Sequence, residues 1–367
     1  MIARHSHAAD KTLLAMTLGL FVCGILILGS ASMVLSYKNL GSVTGYVARQ
    51  LLVGGGVGLA AMALTSRIHY RVWRRLAVPL LLVAFGCLAL LFIPHLGLTF
   101  GGATRWLKLG PVSFQPSEFL KIAFIIYLAS WLDARRRDVA SISYGMIPFL
   151  LMVSIVAVFL VMQKDVGTLV VILVTAGVLY FFGGGKVSQV VIMVLLAIVA
   201  LALLIRLEPY RAARLIVFLN PSSQPLGAGY QINQASIGIG SGGFWGLGFG
   251  KSVQKYQYLP EPMGDSIFAV FGEEMGFAGA AGLVAYFFLF YAACLRTARR
   301  APDVFGKLLA AGIATGIMSQ AFINMAAISG LMPLTGIPLP FISYGGTSLA
   351  ITLMGMGLIL NISRYSS

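Results

Sequence analysis

The stretch Tyr256–Phe277, YQYLPEPMGDSIFAVFGEEMGF, joins a proline-punctuated polar segment to a hydrophobic run. It carries Glu261, Asp265, Glu273 and Glu274, four of the chain's 11 acidic residues. Apolar length of this kind reads as a membrane span, and a carboxylate at the mouth of a span is costly to desolvate. Such a group persists where it has a partner or a chemical task. Asp265, at the point where the run begins, is the candidate for the chemistry.

Working outward, the whole chain has the same character. Of 367 residues 59% are hydrophobic and 10% charged, and the mean hydropathy is +0.91. A soluble chain of this length needs far more charged surface, so the sequence predicts a polytopic membrane protein. The net charge of +15 does not imply nucleic acid, because no basic run is interleaved with aromatics. Cys23, Cys87 and Cys294 are widely separated and lie in or beside apolar runs, and there are four scattered His. That pattern argues against a disulfide framework and against a His/Cys metal site. Arg4 and Lys11 precede an apolar run from Leu13 to Val34. The run is roughly twice the length of a signal-peptide core of ~7–15 residues and is read as a retained first span.

A hydrocarbon core of about 30 Å needs about 20 apolar residues in helix. That ruler predicts an all-α bundle of about ten transmembrane helices, near 13–35, 45–65, 77–97, 117–132, 145–162, 167–183, 188–207, 265–294, 306–330 and 345–362. The basic segments Arg67–Arg75, Ala134–Asp138, Lys186 and RTARR through Lys307 fall in alternate connections. The positive-inside rule makes those connections cytoplasmic, and with an even number of spans both termini are cytoplasmic too. A large extracytoplasmic loop, 208–264, joins spans seven and eight. Its Phe218, Tyr230, Ile232, Phe244, Trp245, Tyr256 and Tyr258 predict order, or anchoring at the interface. No internal repeat stands out, and the chain reads as one membrane domain, 1–367.

Within the large loop, GIGSGGFWGLGFGKS (Gly238–Ser252) ends like a phosphate-binding loop, but Trp245 stands where that loop needs its first glycine. It is read as backbone that approaches a ligand or a neighbouring helix closely. The remaining ionisable groups gather at outer span ends. Arg49 opens the second span, and Arg105 and Lys108 lie in GGATRWLKLGPVSFQPSE. Glu118 and Lys121 share a helix face at the start of the fourth span, and Asp165 lies in QKDVGT. Singly each could be a structural ion-pair partner. Together they predict an outward-opening polar cavity, with cations suited to phosphate and carboxylates suited to a base or a metal. The last loop, SGLMPLTGIPLPFISYGGTS (Ser329–Ser348), holds three prolines and should be a rigid non-helical lid, a re-entrant turn or a plain turn.

In order along the chain, GGATRWLKLGPVSFQPSEFLKI, QKDVGT, PLGAGYQINQASIGIGSGGFWGLGFGKS, YLPEPMGDSIFAVFGEEMGF and PLTGIPLPFISYGGTSL resemble the SEDS family, the shape, elongation, division and sporulation proteins. SRIHYRVWRRLAVPLLL, PYRAARLIVFLNP, QKYQYLPEP and LILNISR are more similar to its cell-division branch than to its elongation branch. Two departures stand out. The family usually has QPDLGT where this chain has Lys164 beside Asp165, and Gly264 and Ser266 flank Asp265 where the division branch commonly has threonine and phenylalanine.

The resemblance implies a peptidoglycan glycosyltransferase at the outer face of the bacterial cytoplasmic membrane, polymerising lipid II, a disaccharide-pentapeptide on undecaprenyl pyrophosphate. It places the catalytic aspartate at Asp265 and implies as partners a class B penicillin-binding protein transpeptidase and, for a division-type member, the divisome. An α-linked donor and a β-1,4 product require inversion, hence one base on the acceptor hydroxyl and charge stabilisation of the leaving pyrophosphate. Asp265 is assigned the base, and Arg49, Arg105, Lys121 and Lys251 the pyrophosphate. A divalent cation, Mg²⁺ or Mn²⁺, suits the same oxygens, with Glu118 and Asp165 either helping to hold it or pairing the cations. Two rivals are a lipid II flippase and a noncatalytic scaffold for the transpeptidase. The inner half of the bundle offers a flippase few ionisable groups, and a scaffold leaves the buried charges without a task.

Overall fold

The computed structural model describes residues 9–100, 103–110, 112–207, 209–220 and 229–366. Arg4 and the PLGA part of the large loop lie outside them. The chain opens with α1 (Lys11–Leu40), whose first turn is capped by Asp10, accepting from the Thr12 and Leu13 amides, and which ends on left-handed Gly41. The second span, Gly45–Arg67, is one continuous rod in three pieces: α2 (Gly45–Arg49), a π-helical stretch Gln50–Gly56, and α3 (Val57–Arg67). A short helix, α4 (Arg71–Arg75), leads into α5 (Ala77–Leu90), and α6 (Pro116–Ala134) follows with proline in its first turn. Next come α7 (Ile147–Met162), entered through a π-helical turn at Ile142–Met146, then α8 (Val166–Phe182) and α9 (Val187–Leu207). The chain closes with α10 (Pro209–Leu219), α11 (Tyr230–Ser241), α12 (Ile267–Arg299), α13 (Val304–Ile328) and α14 (Gly346–Ser363).

Seven of these segments are long and apolar enough to cross a bilayer, and α5 and α8 are shorter apolar helices. With α6, whose Glu118, Lys121 and Asp133 lower its apparent hydropathy, they make the expected bundle of ten. In their most apolar windows α13 is 78% buried and α9 only 11%. One is the axle of the bundle and the other stands at its periphery. Small residues bring the second span onto α14: a Cβ on Gly58 would lie 3.0 Å from the Ala350 Cα, and one on Gly357 only 2.0 Å from Thr65 Oγ1. In a membrane, where apolar burial gives helices little reason to associate, such close approach is a main source of attraction.

The structure departs from the sequence reading in two connections. The third span ends at Leu90 because the chain turns through Pro94 into a three-stranded antiparallel sheet, β1 (Gly97–Phe100), β2 (Ala103–Leu109) and β3 (Val112–Phe114), in that spatial order. The large loop contains α10 and α11, so it is partly a helical layer at the mouth of the bundle. Its glycine-rich part is bound to a break in α12. At Gly276 (φ 64°, ψ −168°) the helix is interrupted. The Leu247 and Gly248 amides donate to the Glu273 and Glu274 carbonyls, each at 3.0 Å, and the Phe277 and Ala278 amides donate back to Gly243 and Phe244. Glycine is required on both sides. A Cβ on Gly246 (φ +83°) would sit 2.2 Å from the Glu274 carbonyl oxygen, and one on Gly276 would sit 2.3 Å from the Gly246 nitrogen.

Candidate active site

Asp265 sits two residues before α12, on a turn whose backbone is held from three directions. The Asn324 side-chain amide of α13 donates to the Asp265 carbonyl at 2.8 Å, the Ser343 hydroxyl donates to the Gly264 carbonyl at 2.6 Å, and the Tyr344 amide donates to the Met263 carbonyl at 2.8 Å. The carboxylate accepts from Gln231 Nε2 of α11 at 3.1 Å, and the same amide donates to the buried Ser266 hydroxyl at 2.9 Å. Part of the Asp265 side chain remains open. Burial, and after it the negative charge of Glu261, raises its pKa to about 6, with Arg214 and the Gln231 hydrogen bond acting in the opposite direction. A carboxylate so placed changes charge near the pH at which a general base operates.

The non-helical segment Leu334–Pro338 gathers the other elements around this turn. Arg214 of α10 donates to the Leu334 carbonyl at 2.8 Å. Gly167 of α8 lies against Thr335 and Ile337, where a Cβ would clash with the Ile337 side chain, and Gly336 lies beside Asp265. Asn324 donates to the Ile337 carbonyl and Gln320 to the Pro338 carbonyl, at 2.8 and 2.9 Å. The prolines thus leave carbonyls unpaired by helix, and α10 and α13 supply the donors.

Most of the sequence candidates join this frame. Asp165 is buried at the N-cap of α8, accepting from the Thr168 amide at 3.3 Å and the Ser117 hydroxyl at 3.0 Å. Beside Ser117, Glu118 pairs with Lys121 at 2.9 Å, and Lys121 also donates to Gln320. Arg105, on β2, donates to the Lys164 carbonyl. Arg49 lies against the Tyr344 phenol, and Tyr344 also packs edge-on to Tyr46 at 5.1 Å. Gln163 presents a buried side-chain amide with no partner on either atom among the described residues. Lys251 is the exception. It is exposed, its stem lies over Gly248, and among the described residues no hydrogen bond or ion pair joins its side chain to the Asp265 cluster. Lys108 is exposed on β2.

The buried cation of this region is Lys255, which the sequence reading did not single out. Fully buried, its ammonium donates to Glu274 Oε1 at 3.0 Å, Ser30 Oγ at 3.1 Å and the Gly250 carbonyl at 2.6 Å. Glu273 accepts from the Val253 and Gln254 amides and the Ser252 hydroxyl. Two adjacent glutamates inside a span demanded such donors, and that was the available signal. Gln231, Gln320 and Asn324 carry no charge and gave none.

Among the described residues no three His, Cys, Asp or Glu side chains converge, and Asp165 and Glu118 are already engaged by their own donors. Glu261 is exposed, and its charge raises the pKa of Asp265; it is a carboxylate open to a hard divalent ion that takes its remaining ligands from phosphate and water.

Residues 11–367 match the family of cell cycle proteins described by FtsW, RodA and SpoVE. The chain is 38% identical to Stage V sporulation protein E of Bacillus subtilis, covering 97% of each chain. It is 39% identical to the probable peptidoglycan glycosyltransferase FtsW of Geobacter sp. strain M18, covering 98% of each. Among solved structures it is similar to a chain of a peptidoglycan synthase complex that coordinates polymerization and crosslinking (TM-score 0.80, 30% identity, 97% and 98% of the two chains). It is also similar to the rod shape determining protein RodA of Thermus thermophilus (TM-score 0.72, 29% identity, 98% and 99%).

Proposed function

The chain belongs to the FtsW/RodA/SpoVE family of cell cycle proteins, and on that footing we propose that it is a peptidoglycan glycosyltransferase with Asp265 as its general base. The observation that carries the assignment is a carboxylate fixed by its backbone at a span mouth, hydrogen-bonded by the Gln231 amide and acted on by the charge of Arg214, with burial raising its pKa to about 6. The substrate is lipid II, and the reaction is a single inverting displacement. Asp265 accepts the proton of the acceptor sugar hydroxyl as that oxygen bonds to the donor's anomeric carbon, and the bond to undecaprenyl pyrophosphate breaks on the opposite face. Arg49, Arg105 and Lys121 face the leaving pyrophosphate, helped by the unpartnered Gln163 amide. With Lys251 turned away, Arg214 is a better candidate for that side. Mg²⁺ or Mn²⁺, held by phosphate oxygens with help from Glu261, would neutralise charge on the pyrophosphate.

An apolar cavity of ≈560 Å³ lined by α7, α8 and α9, among them Val153, Ala157, Leu173 and Met193, suits the prenyl chain. It borders the helix that Asp165 caps. The positive-inside rule supports an orientation with Asp265 at the outer face of the bacterial cytoplasmic membrane and both termini in the cytoplasm. The natural partner is a class B penicillin-binding protein transpeptidase, and in a division role the divisome. Relatives named FtsW favour division over elongation.

The test is polymerisation of fluorescent lipid II by purified protein with a divalent ion, with and without its transpeptidase. Wild type should give glycan ladders and Asp265→Ala none. Ladders from a well-folded Asp265→Ala protein would remove the assignment of the base. No ladders from wild type with an active partner, together with translocation of lipid II in liposomes, would favour a flippase.

A further inference from the structure

At the end of the bundle opposite Asp265, α4 lies between the start of α5, the last turn of α6 and the start of α13. Asp265 and Asp303 flank the two ends of α12, so the two regions are separated by the whole length of that helix. Arg71, Arg74 and Arg75 stand at i, i+3 and i+4, which places them on one face of α4. With Ser130, Ala134, Asp303 and Phe305 they line a concavity of ≈470 Å³.

Two of the three arginines are held in place by protein carboxylates. Arg71 Nε bonds Asp303 at 2.9 Å, and Asp303 is itself fixed by the Tyr70 hydroxyl and the Gly306 amide, each at 2.8 Å. Arg74 pairs with Asp133 at 2.7 Å. Both guanidinium groups retain further N–H donors, since each carries five. Arg75 is exposed and, among the described residues, has no carboxylate partner. With Asp133 counted beside the lining residues, the cluster holds three arginines against two carboxylates, and Arg135, Arg136 and Arg137 follow directly after Ala134. Val72 on the same short helix and Leu76 at its C-cap are 41% and 40% exposed, so apolar surface adjoins the cationic cleft as a lipid's acyl chains adjoin its headgroup. The positive-inside rule explains why arginines lie on this side. It does not explain why three of them line one cleft between three helix ends, two of them anchored.

We propose that this cleft binds the phosphodiester headgroup of an anionic phospholipid, with Arg75 as the uncompensated contact, Arg71 and Arg74 as pre-positioned donors, and the acyl chains running down past Val72 and Leu76. Basic pockets between helix ends on this side of a membrane bind acidic headgroups, and arginine matches the geometry of phosphate oxygens. The site takes no part in sugar transfer.

The test counts lipids retained by the purified full-length protein in neutral detergent, by native mass spectrometry, during titration with dioleoylphosphatidylglycerol or dioleoylphosphatidylcholine. Wild type should retain phosphatidylglycerol in preference. Arg75→Gln should weaken that binding about fivefold, the loss of one basic contact near an anionic headgroup, and leave phosphatidylcholine unaffected. Arg136→Gln, an exposed arginine outside the cleft, should match wild type. Equal retention of the two lipids, unchanged binding by Arg75→Gln, or equal losses in Arg75→Gln and Arg136→Gln would overturn the proposal. Displacement of the lipid by millimolar inorganic phosphate would also overturn it, because the ligand would then be a free phosphate. Arg71→Gln should also weaken phosphatidylglycerol binding in the same titration, and unchanged binding would overturn its assignment as a donor.

Discussion

Asn324 holds the Asp265 backbone and the proline loop with one side chain: its amide nitrogen lies 2.8 Å from the Asp265 carbonyl and 2.8 Å from that of Ile337. Four residues earlier on the same face of α13, Gln320 bonds both Pro338 and Lys121. The Glu118–Lys121 pair and Asp265 are thus fixed to a common element.

Asn324→Leu should leave two buried carbonyls without donors, at a cost of about 1–3 kcal/mol each. We expect the protein to insert and fold with a lower melting temperature, and lipid II polymerisation to fall by about one to two orders of magnitude, since small misplacement of a catalytic group is costly. Ladder assays on protein matched for monodispersity check this. Unchanged polymerisation would show that the turn is held by Ser343 and Tyr344 alone.

A base must be ionised to accept a proton, so polymerisation should rise with pH through about 6, the pKa of Asp265. Glu261→Gln removes a charge that raises that pKa and should move the acid limb to lower pH. A stability effect follows with defined sign. The folded pKa lies above the ordinary aspartate value, so the native state binds the proton more tightly than the unfolded chain, and stability is lost as pH rises from about 4 to 6. Asp265→Asn should therefore melt higher than wild type at pH 7 and equal to it below pH 4.

Lys255→Met leaves Glu274 charged and buried, and breaking one partner of such a pair typically costs about 3–5 kcal/mol. The double variant Lys255→Met, Glu274→Gln should recover much of that loss, because Ser30 and the Ser252 amide still have an acceptor. A double-mutant cycle in melting temperature measures the coupling; strictly additive losses would mean that the pair is not the source of the stability.

Gly246→Ala places a methyl group where the Glu274 carbonyl oxygen lies 2.2 Å away, at a φ of +83°. The loop must detach from the α12 break, so we expect a large fall in the amount of folded protein in membranes. Gly240→Ala, where a Cβ meets nothing within 4 Å, is the control and should accumulate normally.

Spans were legible because their length is set by the bilayer and not by partners: the tenth, expected at 345–362, is Gly346–Ser363. The sheet was missed because its strands are short, and the alternation in ThrArgTrpLeuLysLeu lay inside a loop too small to suggest pairing. Helix α10, at 11 residues, fell below any bilayer ruler. The position of Asp265 at a span mouth was readable from the cost of placing charge there. Lys255 was not, since nothing in a loop's sequence says that one lysine is buried while Lys251, four residues before it, points to solvent. Neutral amides such as Asn324 and Gln231 incur no comparable desolvation penalty and so leave no mark until their partners are seen.

The break at Gly276 also sets a height. Phe277–Arg299 alone, at about 1.5 Å per residue, is roughly 35 Å long and already fills a hydrocarbon core of about 30 Å. Ile267–Met275 is a further piece, about 13 Å long, beyond the length a crossing needs, and Asp265 lies two residues before its start. On the proposed function, the glycan would emerge into the aqueous compartment while the prenyl carrier keeps to the bilayer. Each half of an amphiphilic substrate stays in its own solvent, and only the bond between them is presented at the boundary.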